Sequence, residues 1–121
     1  MQIGKVYAVV STAQLEKAAE WYGRLFGRAA DDRPMAGLCE WYAGAGGVQV
    51  VEDPRRAGSS MLTVFVTDLA GARTDLQARG ITLGATSPAK SGVIAQVNDP
   101  DGNIVTVVEP GPAQGSATAQ R

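Results

Sequence analysis

The chain has no histidine and a single cysteine, which leaves few residues able to do chemistry. Lys5 stands in the run Lys5-Val-Tyr-Ala-Val-Val10. A lysine desolvated there serves as a base or Schiff-base nucleophile. The competing reading, which we prefer, is a lysine whose stem lines an opening while its ammonium stays in water. Cys39 has no histidine to activate it and reads as an inert small hydrophobe. No Ser/His/Asp set is possible, and no close carboxylate pair suggests glycosidase chemistry. Gly44, Gly46 and Gly47 are not a phosphate loop, because no Lys-Ser/Thr follows them and no helix opens there. Arg55 and Arg56 read as solvated residues of a turn.

These residues are positioned by a unit written twice. Val48-Gln-Val-Val-Glu52 differs from Val105-Thr-Val-Val-Glu109 only at Gln49 against Thr106, and Lys5–Val10 is echoed by Met61–Val66. The offsets agree, 61 − 5 = 56 and 106 − 49 = 57. In the first copy Ile3 to Val10 reads as a strand. A helix follows, with Leu15, Ala18, Ala19, Tyr22, Leu25 and Phe26 on one stripe, Ser11 and Gln14 at capping-box spacing, and Gly27 as its stop. Trp21 and Tyr22 read as packing residues. Asp31-Asp-Arg-Pro34 is a turn cluster, and 38–43 and 48–52 are strands joined through Gly44-Ala-Gly-Gly47. After the linker 53–60 the order recurs. It runs strand 61–66, helix from Asp68 to a stop at Gly80, strands 81–83 and 92–97, the tight turn 98–102, and a strand 104–109. The expected architecture is α+β. Two tandem β-α-β-β-β modules, about 1–53 and 61–110, form a curled mixed sheet around a cavity with helices on the outer face, in one domain covering 1–121. The tail 111–121 has no large apolar residue and is expected to be flexible.

Composition narrows the function. The 121 residues are 45% hydrophobic with net charge −1, which fits one globular domain and argues against a nucleic-acid binder. No membrane-span-length apolar run or signal-type apolar region occurs, and the single cysteine suits a reducing interior; a cytoplasmic protein is expected.

A helix covers one face of its sheet, so the other face needs another occupant. Val6, Ala8, Val10, Leu62, Val64, Val66, Val105 and Val107 form an aliphatic set for the helix side. The opposite face then carries Lys5, Tyr7, Gln49, Val51, Met61, Thr63, Phe65, Thr106 and Val108, an apolar lining with a few placed polar groups. Trp41 and Tyr42 face opposite ways in a strand; parity does not decide which joins this face, and Trp41 is chosen.

Asp99-Pro-Asp-Gly-Asn103 before a final strand, together with Leu15-Glu-Lys-Ala-Ala-Glu-Trp-Tyr22 running into Leu25-Phe-Gly27, resembles the vicinal oxygen chelate superfamily. This is the group of glyoxalase I, bleomycin-resistance proteins and extradiol dioxygenases, and the likeness runs to about Pro110. The resemblance implies paired modules and commonly a homodimer whose two chains build each cavity. It also implies a metal held by His or Glu at four positions, which fall here on Lys5, Gln49, Met61 and Thr106. None suits a first-row divalent ion: an ammonium repels a cation, a thioether prefers soft Cu(I), and amide or hydroxyl oxygens are weak alone. Glu52 and Glu109 lie three residues past Gln49 and Thr106 and so point to the other face. Neither metal nor other cofactor is expected.

The leading expectation is a metal-free, non-catalytic binding protein, a homodimer that sequesters an aromatic antibiotic or metabolite. Lys5, Tyr7, Trp41, Gln49, Met61, Thr63, Phe65 and Thr106 would line its ligand site. The alternative is a lyase- or dioxygenase-like enzyme acting without the usual metal site; a structural dimer with no ligand is the third reading.

Overall fold

The computed structural model describes residues 1–112. Its elements are β1 (Tyr7–Thr12), α1 (Leu15–Phe26), β2 (Asp32–Met35), β3 (Leu38–Ala43), β4 (Gly46–Glu52), β5 (Met61–Phe65), α2 (Leu69–Ala78), β6 (Ser87–Ala89), β7 (Gly92–Asn98) and β8 (Ile104–Pro110). The β-α-β-β-β order thus occurs twice. The strands make two four-stranded sheets, ordered β1-β4-β3-β2 and β5-β8-β7-β6. This corrects the expected curled sheet: each sheet is open and ends in edge strands, β1 and β2 in one, β5 and β6 in the other. The chain divides into two compact units. The first holds Met1–Leu62 with Asn98–Ile104, and the second holds Thr63–Val97 with the chain from Val105 onward. The expectation of a flexible tail falls, beyond residue 112, outside the described residues.

In the first unit β1 runs parallel to β4 and β3 antiparallel to it. Partnered residues share a face, so Val10, Val50 and Cys39 stand together, as do Val48 and Trp41. α1 lies over β3 and β4 and buries Leu15, Ala18, Ala19, Trp21, Tyr22 and Leu25. Trp41 packs against Tyr22 and Phe26 with ring centroids 6.3 and 5.6 Å apart. Because the helix lies over the middle strands, Val6 and Ala8 at the start of edge strand β1 stay exposed, contrary to their expected place under it. Gly27, at φ 76°, ends α1 in the left-handed conformation that glycine adopts without strain. The start of α1 differs from the capping-box expectation. Ser11 is a β1 residue whose N–H donates to Ser60, and Gln14 is the cap position without a side-chain bond. Thr12 takes over locally by accepting from the Gln14 N–H at 3.1 Å.

The Asp-Pro-Asp-Gly-Asn turn belongs to this same unit and ties it together. Asp99 Oδ1 accepts from the N–H groups of Asp101 and Asn103, each at 2.9 Å. Its Oδ2 accepts from Tyr22 Oη at 2.7 Å and Asn103 Nδ2 at 2.7 Å. Asp101 accepts from Thr12 Oγ1 at 2.5 Å and from the Ala13 N–H at 3.0 Å. Asn103 bridges the Ser60 N–H and the Ser11 carbonyl. Burial and the neighbouring Asp99 push the Tyr22 hydroxyl well above its ordinary pKa.

Two strand expectations are corrected. Asp32–Met35 is a strand rather than a turn, since Pro34 is tolerated at a sheet edge. Residues 81–83 are not a strand, although Ile81 and Leu83 are buried. There the Ile81 N–H closes onto Leu76, and the Arg73 guanidinium takes the carbonyls of Leu83 and Gly84 at 3.0 and 2.8 Å. α2 is capped at its start by Asp68, which accepts from the Gly71 N–H, and by Glu109, which accepts from the Leu69 N–H at 2.8 Å. Glu109 is thereby committed to the helix.

Candidate functional site

Trp41 and Cys39 lie beneath α1, so the alternating residues of β3 face away from the helix. That open face of the first sheet carries Tyr7 and Val9 from β1, Gln49 and Val51 from β4, and Leu38, Glu40 and Tyr42 from β3. The choice of Trp41 as a ligand residue is therefore corrected. It is 1% exposed, its indole Nε1 donates to the Arg28 carbonyl at 3.0 Å, and Tyr42 takes the open side. The aromatic residues of α1 decide this, because they supply the apolar partners that the larger indole needs.

Register lays the open face out in rows. Val9, Gln49 and Glu40 are aligned, and beside them Tyr7, Gly47 and Tyr42. A Cβ on Gly47 would fall 2.1 Å from the Trp41 carbonyl oxygen, so only glycine fits, and the space between the two tyrosines carries no side chain. Gln49 Nε2 donates to Glu40 Oε2 at 2.6 Å. Glu40 is 9% exposed, and no cationic side chain among the described residues pairs with it. The Lys5 ammonium lies 5.2 Å from the centroid of the Tyr7 ring, and the residue is exposed, which fits a solvated stem better than a buried base. The end of β3 is held by Asp31, which accepts from the Tyr42 N–H at 2.7 Å and pairs with Arg28; Arg28 in turn donates to the Tyr42 carbonyl. Burial, then the charges of Asp32 and Glu40, push the Tyr42 hydroxyl above its ordinary pKa.

In the second sheet Met61, Thr63 and Phe65 are exposed along β5, and Val108, expected beside them, is buried. Thr106 Oγ1 accepts from Gln96 Nε2 at 3.0 Å. This pair stands where Glu40 and Gln49 stand in the first copy, since 96 − 40 = 56 and 106 − 49 = 57. Both copies thus join a side chain of the third strand to one of the last. Sequence reasoning missed Glu40 and Gln96. The repeat offset together with strand parity was the signal that could have found them.

The residues at the four expected metal positions do not form a metal site. Gln49 and Thr106 are engaged by neighbours, Lys5 is cationic, and no group of three or more His, Cys, Asp or Glu side chains able to hold an ion occurs among the described residues. A separate groove of about 790 Å³ lies between the first turn of α1 and the β2–β3 turn. The Arg33–Glu16 ion pair, at 2.8 Å, sits on its wall and satisfies its central charges, with the Glu16 carboxyl held below its ordinary pKa by that contact. Lys17 and Glu52 also line it, and both are exposed to solvent. No helix of the described residues is long and apolar enough to cross a membrane.

No family model and no curated protein matches the chain. Solved structures do. A glyoxalase/bleomycin resistance protein from Catenulispora acidiphila is 24% identical, with 86% of this chain and 96% of that one covered and a TM-score of 0.79. TnmS3, an antibiotic binding protein from Streptomyces, is 21% identical over 92% and 97%, with a TM-score of 0.72. A bleomycin resistance determinant encoded on the transposon Tn5 is 20% identical over 87% and 96%, also at 0.72. The chain therefore has the fold of the vicinal oxygen chelate superfamily, the glyoxalase/bleomycin-resistance fold.

Proposed function

We propose that a chain with this fold and these substituted positions is a small-molecule binding protein. In this reading it acts without a bound metal, as a cytoplasmic homodimer that sequesters an aromatic antibiotic or metabolite. The observation that carries the reading is the use made of the metal positions. Gln49 and Thr106 each join a hydrogen-bonded pair on a sheet face, where divalent-ion chemistry would need charged oxygen or nitrogen ligands. The open face of the first sheet is apolar and aromatic with few polar groups, the composition of a ligand surface. The exposed Thr63 and Phe65 extend the same character to the second sheet. A second chain in the homodimer would shield the exposed apolar residues of both faces. The fold is shared with an antibiotic binding protein and with a bleomycin resistance determinant, which favours capture over turnover.

Three measurements on the full chain, purified without chelator, test this. Native mass spectrometry should find a dimer carrying a small organic molecule. Metal analysis should find less than stoichiometric Ni, Zn, Fe or Mn. A thermal-shift screen of aromatic natural products should raise the melting temperature with at least one compound. Stoichiometric metal accompanied by turnover would overturn the proposal, as would a screen with no stabilising compound.

A further inference from the structure

We propose that the open face of the first sheet selects a ligand bearing a positively charged nitrogen, with Glu40 as its anionic partner and the Tyr7 and Tyr42 rings as flanking walls. The inference rests on the ligand-binding reading and adds the charge of the ligand to it.

Glu40 is the observation that points to a ligand. Nine-tenths of the residue is buried, and its one side-chain partner is the neutral amide of Gln49, which fixes Oε2; Oε1 has no bond within the chain and is not among the buried unpartnered atoms, so it opens to solvent on this face. A carboxylate oxygen that is reachable from the open face and has no counter-charge of its own is a ready partner for a cation brought by a ligand. The cations nearby are otherwise placed. Arg28 is held by Asp31 and the Tyr42 carbonyl, and Lys5 lies over the outer ring, that of Tyr7.

The surroundings favour the same charge. Tyr7 and Tyr42 are each aligned with Gly47, so their strands are separated by one strand without a side chain, roughly 9–10 Å from one tyrosine strand to the other. A flat or ammonium group entering that slot would lie between two tyrosines, whose ring faces attract cations, one row from Glu40. The Lys5 ammonium already lies over the Tyr7 ring, so a ligand's cation is directed to the Glu40 and Tyr42 side of the slot. Asp32 adds a second carboxylate at the Tyr42 end, its Oδ2 accepting from the Tyr42 hydroxyl at 3.4 Å. In the second copy the equivalent pair, Gln96 and Thr106, is neutral, so the charge belongs to the first module alone.

Two flat fluorescent probes of opposite charge, N-methylacridinium and acridine-9-carboxylate, are titrated against the full-length protein at low salt. Wild type is expected to bind the cation at least about tenfold more tightly, the range for a charge-assisted contact. E40Q, which keeps an acceptor for Gln49, should bring that preference below about threefold, and Y42A should weaken the cation by roughly two- to fivefold. The wild-type comparison stands even if a variant folds poorly. Equal binding of both probes, tighter binding of the anion, or a preference that survives in E40Q would overturn the inference while leaving ligand binding intact. If neither probe binds, both the inference and the binding reading fail.

Discussion

Replacing Tyr22 with Phe isolates one hydrogen bond in the network that locks the first unit. The hydroxyl donates to Asp99 Oδ2 at 2.7 Å in a fully buried setting, while the ring keeps its contacts with Trp21 and Trp41. No cavity is created, so the loss is that of a buried bond to a charged acceptor, about 1.5–3 kcal/mol. Asp99 retains Asn103 Nδ2 and two backbone N–H donors, which keeps the loss at that scale rather than that of an orphaned charge. For a chain of this size it corresponds to a melting temperature lower by roughly 6–12 °C. The same substitution has a second signature at high pH. Burial first, then the contact with Asp99, raise the folded hydroxyl above its ordinary pKa of 10.0. The unfolded chain releases that proton at a lower pH than the folded one. Wild-type stability therefore falls as pH rises above 10, by up to about 1.4 kcal/mol per pH unit from this group. Urea denaturation of both proteins at pH 7 and across pH 9.5–11 measures both effects. A loss below about 0.5 kcal/mol at pH 7, within the range of an ordinary surface change, would refute the reasoning, as would parallel alkaline slopes.

Trp41→Ala should cost about 3–5 kcal/mol in urea denaturation, whereas Tyr42→Ala should stay within about 1 kcal/mol and act on binding instead. Gly47→Ala brings a Cβ to 2.1 Å from the Trp41 carbonyl oxygen, and a melting temperature lowered by the equivalent of about 1–3 kcal/mol is expected. At acid pH the Arg28 guanidinium, and then the Tyr42 N–H, hold the Asp31 carboxyl below its ordinary value of 3.8. The stability it adds is present above that value and is lost as pH falls through the lower folded one, so Asp31→Asn should show a shallower acid limb in thermal melts. Lys5→Met should leave the affinity for any ligand found by screening within several-fold, as isothermal titration would show; abolished binding would make Lys5 a direct contact.

The repeat offsets of 56 and 57 and the apolar stripe of α1 are local patterns, and both were legible in the sequence. So was the turn at Asp99, but not what it holds, because Thr12, Tyr22 and Ser60 lie 43 to 89 residues from their respective partners Asp101, Asp99 and Asn103. β2 was hidden because Asp-Asp-Arg-Pro has turn composition and an edge strand accepts it. Ile81 and Leu83 alternate like a strand, but Arg73 takes the carbonyls that a sheet would have used. Parity put Trp41 and Tyr42 on opposite faces without choosing between them. The choice lies with Tyr22 and Phe26 on a neighbouring helix. The sheets' openness had no local signal either, since the two modules' strand sequences are alike whether a sheet closes or not.

A duplicated unit starts with equivalent positions, and what later differs between the copies reports separate demands on them. Here the geometry of the pair is retained: a third-strand side chain bonded to a last-strand side chain, Glu40 with Gln49 and Gln96 with Thr106. The chemistry is not. One pair carries a carboxylate with a free oxygen in a nine-tenths buried residue, the other is neutral and more exposed. Packing alone would not require that difference, because an amide at 40 would satisfy Gln49 equally well. The proposed cationic ligand would give that carboxylate a use that the neutral pair of the second module does not have.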